Sequence, residues 1–294
     1  MKMRLGTRGS ALALAQSEWV AQKLRLQGHE VEMVRIVTEG DVRPIDTAPG
    51  EGIFVAAIAS ALVRGEIDIA VHSAKDVPLE EEPEIVIAAY PQRADPRDAL
   101  VSASGRHSIE TLPAKATVGT DSPRRSGFLR SARSDLRIVA LHGNVDTRLR
   151  RLDAGEVDAL VIAAAGLDRL GRGSRVDQRI DPTLITPAPG QGALAIQARR
   201  SDTALVEVLG AHDRSDIRLA VVAERRVLLA TGGMCRAPVG ALAAIDEDSF
   251  TMVVGGVNSD GSDLHVELIR GTRAELLELA DAAGAKLSGA VMLQ

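Results

Sequence analysis

The chain has 294 residues, with 35 Lys and Arg against 40 Asp and Glu, one cysteine and five aromatic residues (one Trp, one Tyr and three Phe). The length predicts two domains or three small ones, and 45% hydrophobic with 26% charged residues excludes a wholly disordered chain. The net charge of -5 and the few rings argue against a nucleic-acid binder, and one cysteine excludes an intrachain disulfide and a multi-thiolate zinc site.

The apolar stretches of the chain are short. The stretch at residues 11–15 is too short for a secretory signal and is closed at once by Gln16, Ser17 and Glu18. The longest apolar run, residues 159–167, is far shorter than a membrane span. Together with the single cysteine, this pattern predicts a soluble cytoplasmic protein.

Strand and helix patterns alternate from residue 3 to residue 90. Ser10 is a candidate N-cap for a helix that Gly28 ends, and the Gly-, Pro- and Asp-rich residues 39–52 predict a loop. The alternation is the βαβ pattern of a parallel sheet. We predict strands at 3–6, 30–37, 67–71 and 85–90, and helices at 11–26 and 53–64.

The same pattern repeats in a second α/β domain, residues 97–185. We predict its strands at 116–119, 137–141 and 159–164, and its helices at 126–134 and 147–154. A proline-rich segment then leads into the strand pattern GQGALAIQAR, which predicts that the chain returns to the first sheet. The first domain is therefore residues 1–92 plus 187–210, and two crossing segments predict a hinged cleft between the domains.

The last 80 residues have a different pattern. Short turn signals separate three strands, which predicts an antiparallel sheet in a third, α+β domain over residues 215–294. Cys235 lies in the glycine-rich loop at the start of this domain. We predict the strands at 239–245, 250–257 and 264–270, and helices at 217–230 and 272–287.

Arginines gather at turns that follow predicted strands. Residues 120–151 hold eight Arg and three Asp, a local balance of +5. Arg124 and Arg125 follow a strand at the start of a helix, and the turns at 143–148 and 7–10 repeat this arrangement. Helix N-termini and guanidinium groups bind anions at the carboxyl edge of an open sheet. The turns predict a multi-anion site; the alternative is a solvated basic helix face.

Asp76 and Cys235 are further candidates for chemistry. Asp76 follows a buried strand and stands beside Lys75, which favours the ionised carboxylate. Such a carboxylate stabilises a developing cation or passes a proton to a leaving amine, although a helix cap or a local salt bridge also explains the pair. Cys235 is an attachment point, a nucleophile without an evident base, or a small buried residue.

Ten motifs in this order resemble the porphobilinogen deaminase family, also called hydroxymethylbilane synthases, over nearly the whole chain. Their order and spacing make chance similarity very improbable. The motifs are TRGSALALAQ, TEGD, GIFV, DIAVHSAKDVP, DPRDA, VGTDSPRR, HGNVDTRL, AAAGLDRLG, PAPGQGALAIQ and GGMCRAPVGA.

The resemblance implies a fold and a reaction. The fold is α/β, with two type II periplasmic-binding-protein-like α/β domains and a small α+β C-terminal domain that has a three-stranded antiparallel sheet. A dipyrromethane cofactor, bound to Cys235 by a thioether, receives four porphobilinogen molecules head to tail as four ammonia leave. Water then releases hydroxymethylbilane in tetrapyrrole biosynthesis. The resemblance implies a monomer without metal, nucleic acid or membrane partners.

The resemblance also implies site residues by motif position. Asp76 is the catalytic residue, which bonds the pyrrole N–H groups and stabilises the substrate cation formed when ammonia leaves. The cofactor-binding residues are Cys235, Lys75, Asp76, Ser122, Arg124, Arg125 and Gly143. The substrate-binding residues are Arg8, Ser10, Gln16, Phe54, Thr120, His142, Arg148, Arg169 and Gln191.

Five positions depart from the family pattern: Glu51, Asp121, Pro123, His142 and Met234. His142 stands where an arginine is common, and an imidazole binds an anion well only when it is protonated. We therefore predict that substrate affinity weakens as pH rises through the imidazole titration. The motif leaves open whether Asp121 points away from the binding residues.

Two other function classes fit part of the pattern. A two-lobed binding protein for small carboxylates explains the repeated sheets and the arginine turns, but not Cys235 or the third domain. A cysteine-nucleophile hydrolase explains Cys235 but lacks an evident base. The mass attached to Cys235 separates these alternatives.

Overall fold

A computed structural model describes residues 1–37, 53–80, 82–232 and 237–290, and within this range it leaves the side chains of residues 53 and 54 undescribed. The chain divides into one unit of Met1–Arg93 and Ala193–Arg218 and another of Ala94–Gly192 and Leu219–Gln294. The described helices are α1 (Ala11–Leu26), α2 (Ile53–Val63), α3 (Pro123–Ala132), α4 (Val145–Asp153), α5 (Ala164–Arg169), α6 (Thr203–Gly210), α7 (Ser215–Ala230) and α8 (Leu276–Ala290). The described strands are β1 (Lys2–Thr7), β2 (Glu30–Arg35), β3 (Ile69–Ser73), β4 (Ile85–Ala89), β5 (Asp98–Ser102), β6 (Thr117–Gly119), β7 (Arg137–Val139), β8 (Ala159–Ala163), β9 (Gln178–Arg179), β10 (Leu194–Arg199), β11 (Val239–Asp246), β12 (Ser249–Gly256) and β13 (His265–Thr272).

The first unit contains a five-stranded sheet in the order β2-β1-β3-β10-β4. β1 is parallel to both β2 and β3, whereas β10 is antiparallel to both β3 and β4. The predicted return of the chain to the first sheet is therefore confirmed. Aliphatic side chains of the sheet and α1 form the core, among them Met3, Leu5, Leu24, Ile69 and Ile196.

The second unit repeats this topology in the order β7-β6-β8-β5-β9. β6 is parallel to β7 and β8, and β5 is antiparallel to β8 and β9. In each sheet the antiparallel strand comes from a segment where the chain passes between the units. The predicted α/β class is confirmed, and the parallel pairing that the βαβ pattern predicts is found among β1, β2 and β3 and among β6, β7 and β8. The pairs that involve β5 and β10 are antiparallel, so both sheets are mixed. A strand buried on both faces has the same apolar pattern in either direction, so direction is set by the path of the chain.

Three caps position the helices that start at the carboxyl ends of β1, β6 and β7. Ser10 accepts the N–H of Ala13 (3.3 Å), Ser122 that of Arg125 (3.4 Å) and Asn144 that of Thr147 (3.0 Å). Since Ser122 is the cap and Pro123 begins the helix, α3 starts three residues earlier than predicted, at 123 rather than 126. Its two arginines therefore lie in the first turn.

The third sheet is antiparallel, in the order β11-β12-β13, as predicted. It packs closely on the segment before β10, within the second unit. A Cβ added at Gly240 would lie 2.3 Å from the carbonyl oxygen of Thr186, and one at Gly255 would lie 2.4 Å from the Thr186 hydroxyl oxygen. Only glycine fits at these contacts. The assignment of residues 215–294 to a separate third domain stays a prediction.

Four short elements lie outside the sequence predictions: β5, β9, α5 and α6. Each has ten residues or fewer, and α5 follows β8 directly without a capping side chain. Short apolar segments give too few repeats to show a period. Among the described residues, the helices are all too short or too polar to cross a membrane.

Candidate active site

Two arginines in the first turn of α3 contact one buried carboxylate on β5. Arg125 donates from Nε and from Nη2 to Asp98 Oδ1, over 3.0 and 2.8 Å. Arg124 Nη2 lies 2.8 Å from the other carboxylate oxygen, Oδ2. The side chains of Arg124, Arg125 and Asp98 are 4%, 7% and 0% exposed, so water screens these charges little.

The amide of Gln191 completes this group, which we call the arginine cluster: Asp98, Arg124, Arg125 and Gln191. Its Nε2 donates to Asp98 Oδ1 (2.9 Å) and to Pro96 O (2.8 Å), and its Oε1 accepts from Arg125 Nη2 (3.3 Å). Burial would raise the pKa of Asp98, but the charges of the two arginines and the hydrogen bonds from Arg125 and Gln191 hold that pKa at about 2. Two buried guanidinium groups therefore share one negative charge.

A second carboxylate, Asp121, follows β6 and forms a group with Arg148 and His142, here called the Asp121 group. Asp121 Oδ1 lies 2.9 Å from Arg148 Nη2, and Oδ2 lies 3.3 Å from His142 Nδ1. Burial would raise the pKa of Asp121, but the charges of Arg148 and Arg125 and the hydrogen bond with His142 hold it below its usual value. Arg148 also donates from Nε to Gly143 O over 2.7 Å.

Thr120 and Arg169 lie at the same carboxyl edge of the second sheet. Thr120 is buried, and its Oγ1 accepts the N–H of Ser122 over 3.4 Å. Arg169, in α5 after β8, donates from Nη2 to Gly192 O over 2.7 Å. Burial lowers the pKa of Arg169 to about 10, against the opposing charge of Asp168, so the guanidinium stays cationic near neutral pH.

In the first unit, the candidate residues follow the parallel neighbours β1 and β3. Asp76 is exposed and ends a single 3-10 turn, Ala74–Asp76, which starts directly after β3. Gln16 of α1 is buried and donates from Nε2 to Ser73 Oγ over 2.9 Å, which ties α1 to the end of β3. Arg8 and Ser10 follow β1 at this edge.

His72 of β3 is a buried imidazole that the sequence motif contains but to which no role was assigned. Its side chain is almost fully buried, and its Nε2 has no hydrogen-bond partner among the described residues. Burial and then the positive charge of Arg8 lower the pKa of His72 to about 4. His72 is therefore neutral near neutral pH, and the effect of the Arg8 charge on its pKa shows that Arg8 lies near the end of β3.

The structure brings the sequence-predicted residues together within each unit. The first unit holds Arg8, Ser10, Gln16, Lys75 and Asp76 at one sheet edge. The second holds Thr120, Ser122, Arg124, Arg125, His142, Gly143, Arg148, Arg169 and Gln191 at the other. Cys235, Met234 and Glu51 lie outside the described residues, as does the predicted loop at 39–52, and the side chain of Phe54 is not described.

Sequence reasoning missed the two carboxylates that hold the arginines. Asp98 belongs to the quoted DPRDA motif, but neither of its arginine partners is near it in sequence. Asp121 was noted as a departure from the family pattern, and it contacts Arg148 and His142, so it points towards the binding residues. Asp121 and Arg148 follow the neighbouring strands β6 and β7, whereas Asp98 on β5 and the arginines after β6 belong to strands that β8 separates.

Comparisons with known proteins agree on one family. The family model described as "Porphobilinogen deaminase, dipyromethane cofactor binding domain" matches residues 3–207. Porphobilinogen deaminase of Acidothermus cellulolyticus is 46% identical over 292 residues, which covers 97% of this chain and 88% of the relative. Porphobilinogen deaminase of Roseiflexus sp. (strain RS-1) is 45% identical over 253 residues, with 84% and 83% covered.

The solved structures that match the chain do so at low identity and low TM-score. A periplasmic sulfonate-binding protein SsuA from Methylobacillus flagellatus has 17% identity and a TM-score of 0.41, covering 78% of this chain and 69% of its own. A nutrient-binding protein from Burkholderia cenocepacia bound to methionine has 17% identity and a TM-score of 0.44, with 70% and 89% covered.

Proposed function

Since the chain belongs to the porphobilinogen deaminase family, we propose that it joins four porphobilinogen molecules head to tail, with release of four ammonia and then of hydroxymethylbilane. In this reaction the enzyme is a transferase of tetrapyrrole biosynthesis. The observation that carries the proposal is the arginine cluster, in which two buried cations share a single carboxylate. Porphobilinogen and its oligomers carry an acetate and a propionate on each ring, and guanidinium groups bind carboxylates in a fork geometry.

The donor set of the second unit fits a dipyrromethane cofactor. Arg124 and Arg125 together carry one positive charge more than Asp98 cancels, and the N-terminus of α3 adds its partial positive charge. In the proposal Ser122, Gly143 and these two arginines bind the cofactor carboxylates, and Cys235 forms the thioether. The cofactor, when bound, supplies the pyrrole carbon to which the first substrate unit is joined.

Asp76 is the catalytic residue of the proposal. It is exposed at the end of the turn after β3, so a ligand reaches it without displacing the core. Its carboxylate accepts hydrogen bonds from pyrrole N–H groups and stabilises the positive charge that develops on the substrate as ammonia leaves. Lys75 precedes it and binds a carboxylate of the pyrrole chain. Arginine does not release its proton near neutral pH, so the binding arginines do not compete with Asp76 for this role.

The remaining candidates bind the substrate in this proposal. Arg8, Arg148 and Arg169 supply guanidinium groups for its carboxylates, Ser10, Gln16 and Thr120 supply hydrogen bonds, and His142 supplies a donor when protonated. The contacts of Gln191 with Asp98 and Arg125 favour a role in holding the arginine cluster rather than direct contact with substrate. Phe54 is assigned to a pyrrole ring by its motif position alone.

The experiment that tests the function is a combined mass and turnover measurement. The purified protein is expected to exceed its sequence mass by two pyrrole units, and Cys235→Ser is expected to lose both this mass and the turnover of porphobilinogen. An unmodified protein with full activity contradicts the proposal. If the protein binds porphobilinogen without consuming it, the alternative function, a binding protein for small carboxylates, replaces the proposed one.

The proposal extends to the state of the protein in the cell. We place it in the cytoplasm as a monomer that works without metal, nucleic acid or membrane. Among the described residues, no group of three His, Cys, Asp or Glu side chains is arranged to hold a metal ion. Independence from metal is tested by dialysis against a chelator, after which turnover is expected to survive. The monomeric state is tested by gel filtration, in which the protein is expected to elute at the mass of one chain.

A further inference from the structure

The Asp121 group contains a carboxylate that competes with any ligand carboxylate for Arg148. Asp121 Oδ1 lies 2.9 Å from Arg148 Nη2, and the three side chains of the group are each 16% or 17% exposed. We infer that Asp121 makes the binding of one substrate carboxylate at Arg148 dependent on a proton at His142. This inference rests on the proposed function, which supplies a substrate with two carboxylates.

The charges of the group cancel when His142 is neutral. Arg148 contributes one positive charge and Asp121 one negative charge, because the pKa of Asp121 is held below its usual value. A ligand carboxylate then meets no net attraction from the pair. Protonation of His142 adds one positive charge, which matches one carboxylate.

The hydrogen bond between Asp121 and His142 also fixes which imidazole nitrogen carries the proton. An ionised carboxylate only accepts, so His142 Nδ1 must donate to Asp121 Oδ2 across their 3.3 Å separation. In neutral His142 the other nitrogen, Nε2, is therefore an acceptor and repels a carboxylate. Protonation turns Nε2 into a donor, so a single proton changes both the charge and the hydrogen-bonding sense of this subsite.

The arginine charges that act on Asp121 come from two helices. Arg148 stands on α4, and Arg125 at the start of α3 acts on both Asp121 and Arg148. Arg125 shares the single charge of Asp98 with Arg124, so its own charge is only partly matched within the arginine cluster.

The kinetic test compares KM for porphobilinogen across pH in the cofactor-bearing enzyme. In the parent, KM is expected to be about tenfold higher when His142 is neutral than when it is protonated, the size of one hydrogen bond to a charged group. His142→Arg is expected to keep a low KM over the range, and Asp121→Asn to lower KM by a similar factor at the high end. Equal pH profiles of KM in the parent and in His142→Arg overturn the inference.

A binding test separates this inference from the proposed function. Inorganic sulfate is titrated by calorimetry in two buffers of different ionisation enthalpy, which measures proton uptake without turnover. The parent is expected to take up a proton on binding sulfate, and His142→Gln to take up less. The control is His107→Gln, which removes a half-buried histidine of the same unit that contacts Ser104 and Thr111 instead.

The outcomes are distinct. Absence of porphobilinogen turnover in the parent contradicts the proposed function, while the sulfate measurement still tests the subsite. Equal proton uptake in the parent and in His142→Gln overturns the inference even if the enzyme is active. A loss of uptake in His107→Gln as large as in His142→Gln also overturns it.

Discussion

Asp98 accepts two hydrogen bonds from the guanidinium of Arg125 at a single oxygen, and its other oxygen faces Arg124. The carboxylate lies on β5 and the arginines in the first turn of α3, so this contact fixes the end of the second sheet to the start of a helix. Because all three side chains are buried, the same contact stabilises the fold of the second unit and positions two arginines of the candidate site.

Asp98→Asn should strongly destabilise the second unit. The substitution leaves two buried guanidinium groups without their counter-charge, and breaking such a buried pair costs about 3–5 kcal/mol. Chemical unfolding followed by circular dichroism measures the loss. The control is Asp135→Asn, which breaks the exposed pair with Arg133 and should change stability far less. Equal losses in the two variants would contradict the role of burial.

His72 predicts a pH dependence of stability in the acid range. Burial lowers its pKa from 6.5 to about 4, so the unfolded chain binds more protons than the folded chain between these values. The stabilisation is present above the unfolded pKa of 6.5 and is lost as pH falls to about 4. In His72→Gln this part of the stability loss should disappear, and denaturant midpoints of unfolding measured between pH 6.5 and about 4 would show it. If the midpoints of the parent and of His72→Gln fall in parallel as pH is lowered, His72 is not the cause of the loss.

Asp76→Asn should preserve the fold and stop elongation. The carboxamide keeps the shape of the side chain but removes the charge that, in the proposed role, stabilises the developing cation, and loss of such a group lowers kcat by about a hundredfold or more. Single-turnover assays and a thermal melt measure the two properties. Glu80→Gln, an exposed acid four residues on, is the control and should keep normal turnover. Near-normal turnover in Asp76→Asn would remove Asp76 from the mechanism.

Gly240→Ala should destabilise the contact between the third sheet and the segment before β10. The new Cβ would lie 2.3 Å from the carbonyl oxygen of Thr186, which is backbone and cannot turn away. Overpacking of this kind costs about 1–3 kcal/mol. Gly210→Ala is the matched control, since a Cβ there meets no atom within 4 Å and should leave stability unchanged or higher. Unchanged stability in Gly240→Ala would show that the backbone at Thr186 can move to accommodate the new Cβ.

Local chemistry made much of the fold predictable from sequence. Ser10 caps a helix as expected, and Ser122 explains why α3 begins at Pro123, because the motif contains both the cap and the first-turn proline. Long-range contacts were not predictable in the same way. The partners of Asp98 are 26 and 27 positions away and meet it only through the antiparallel placement of β5, for which the apolar pattern gives no direction.

The position of β10 has a consequence for biosynthesis. β10 lies between β3 and β4, and within the described part of the chain it is the only strand beside β4 in the sheet. On the ribosome, the first sheet therefore stays incomplete until residue 199 has been translated, by which time the whole Ala94–Gly192 segment has already emerged or is emerging. The five-stranded sheet of the second unit, whose last strand ends at Arg179, is thus translated in full before the five-stranded sheet of the first unit. A nascent chain released before Arg199 exposes the unpaired edge of β3.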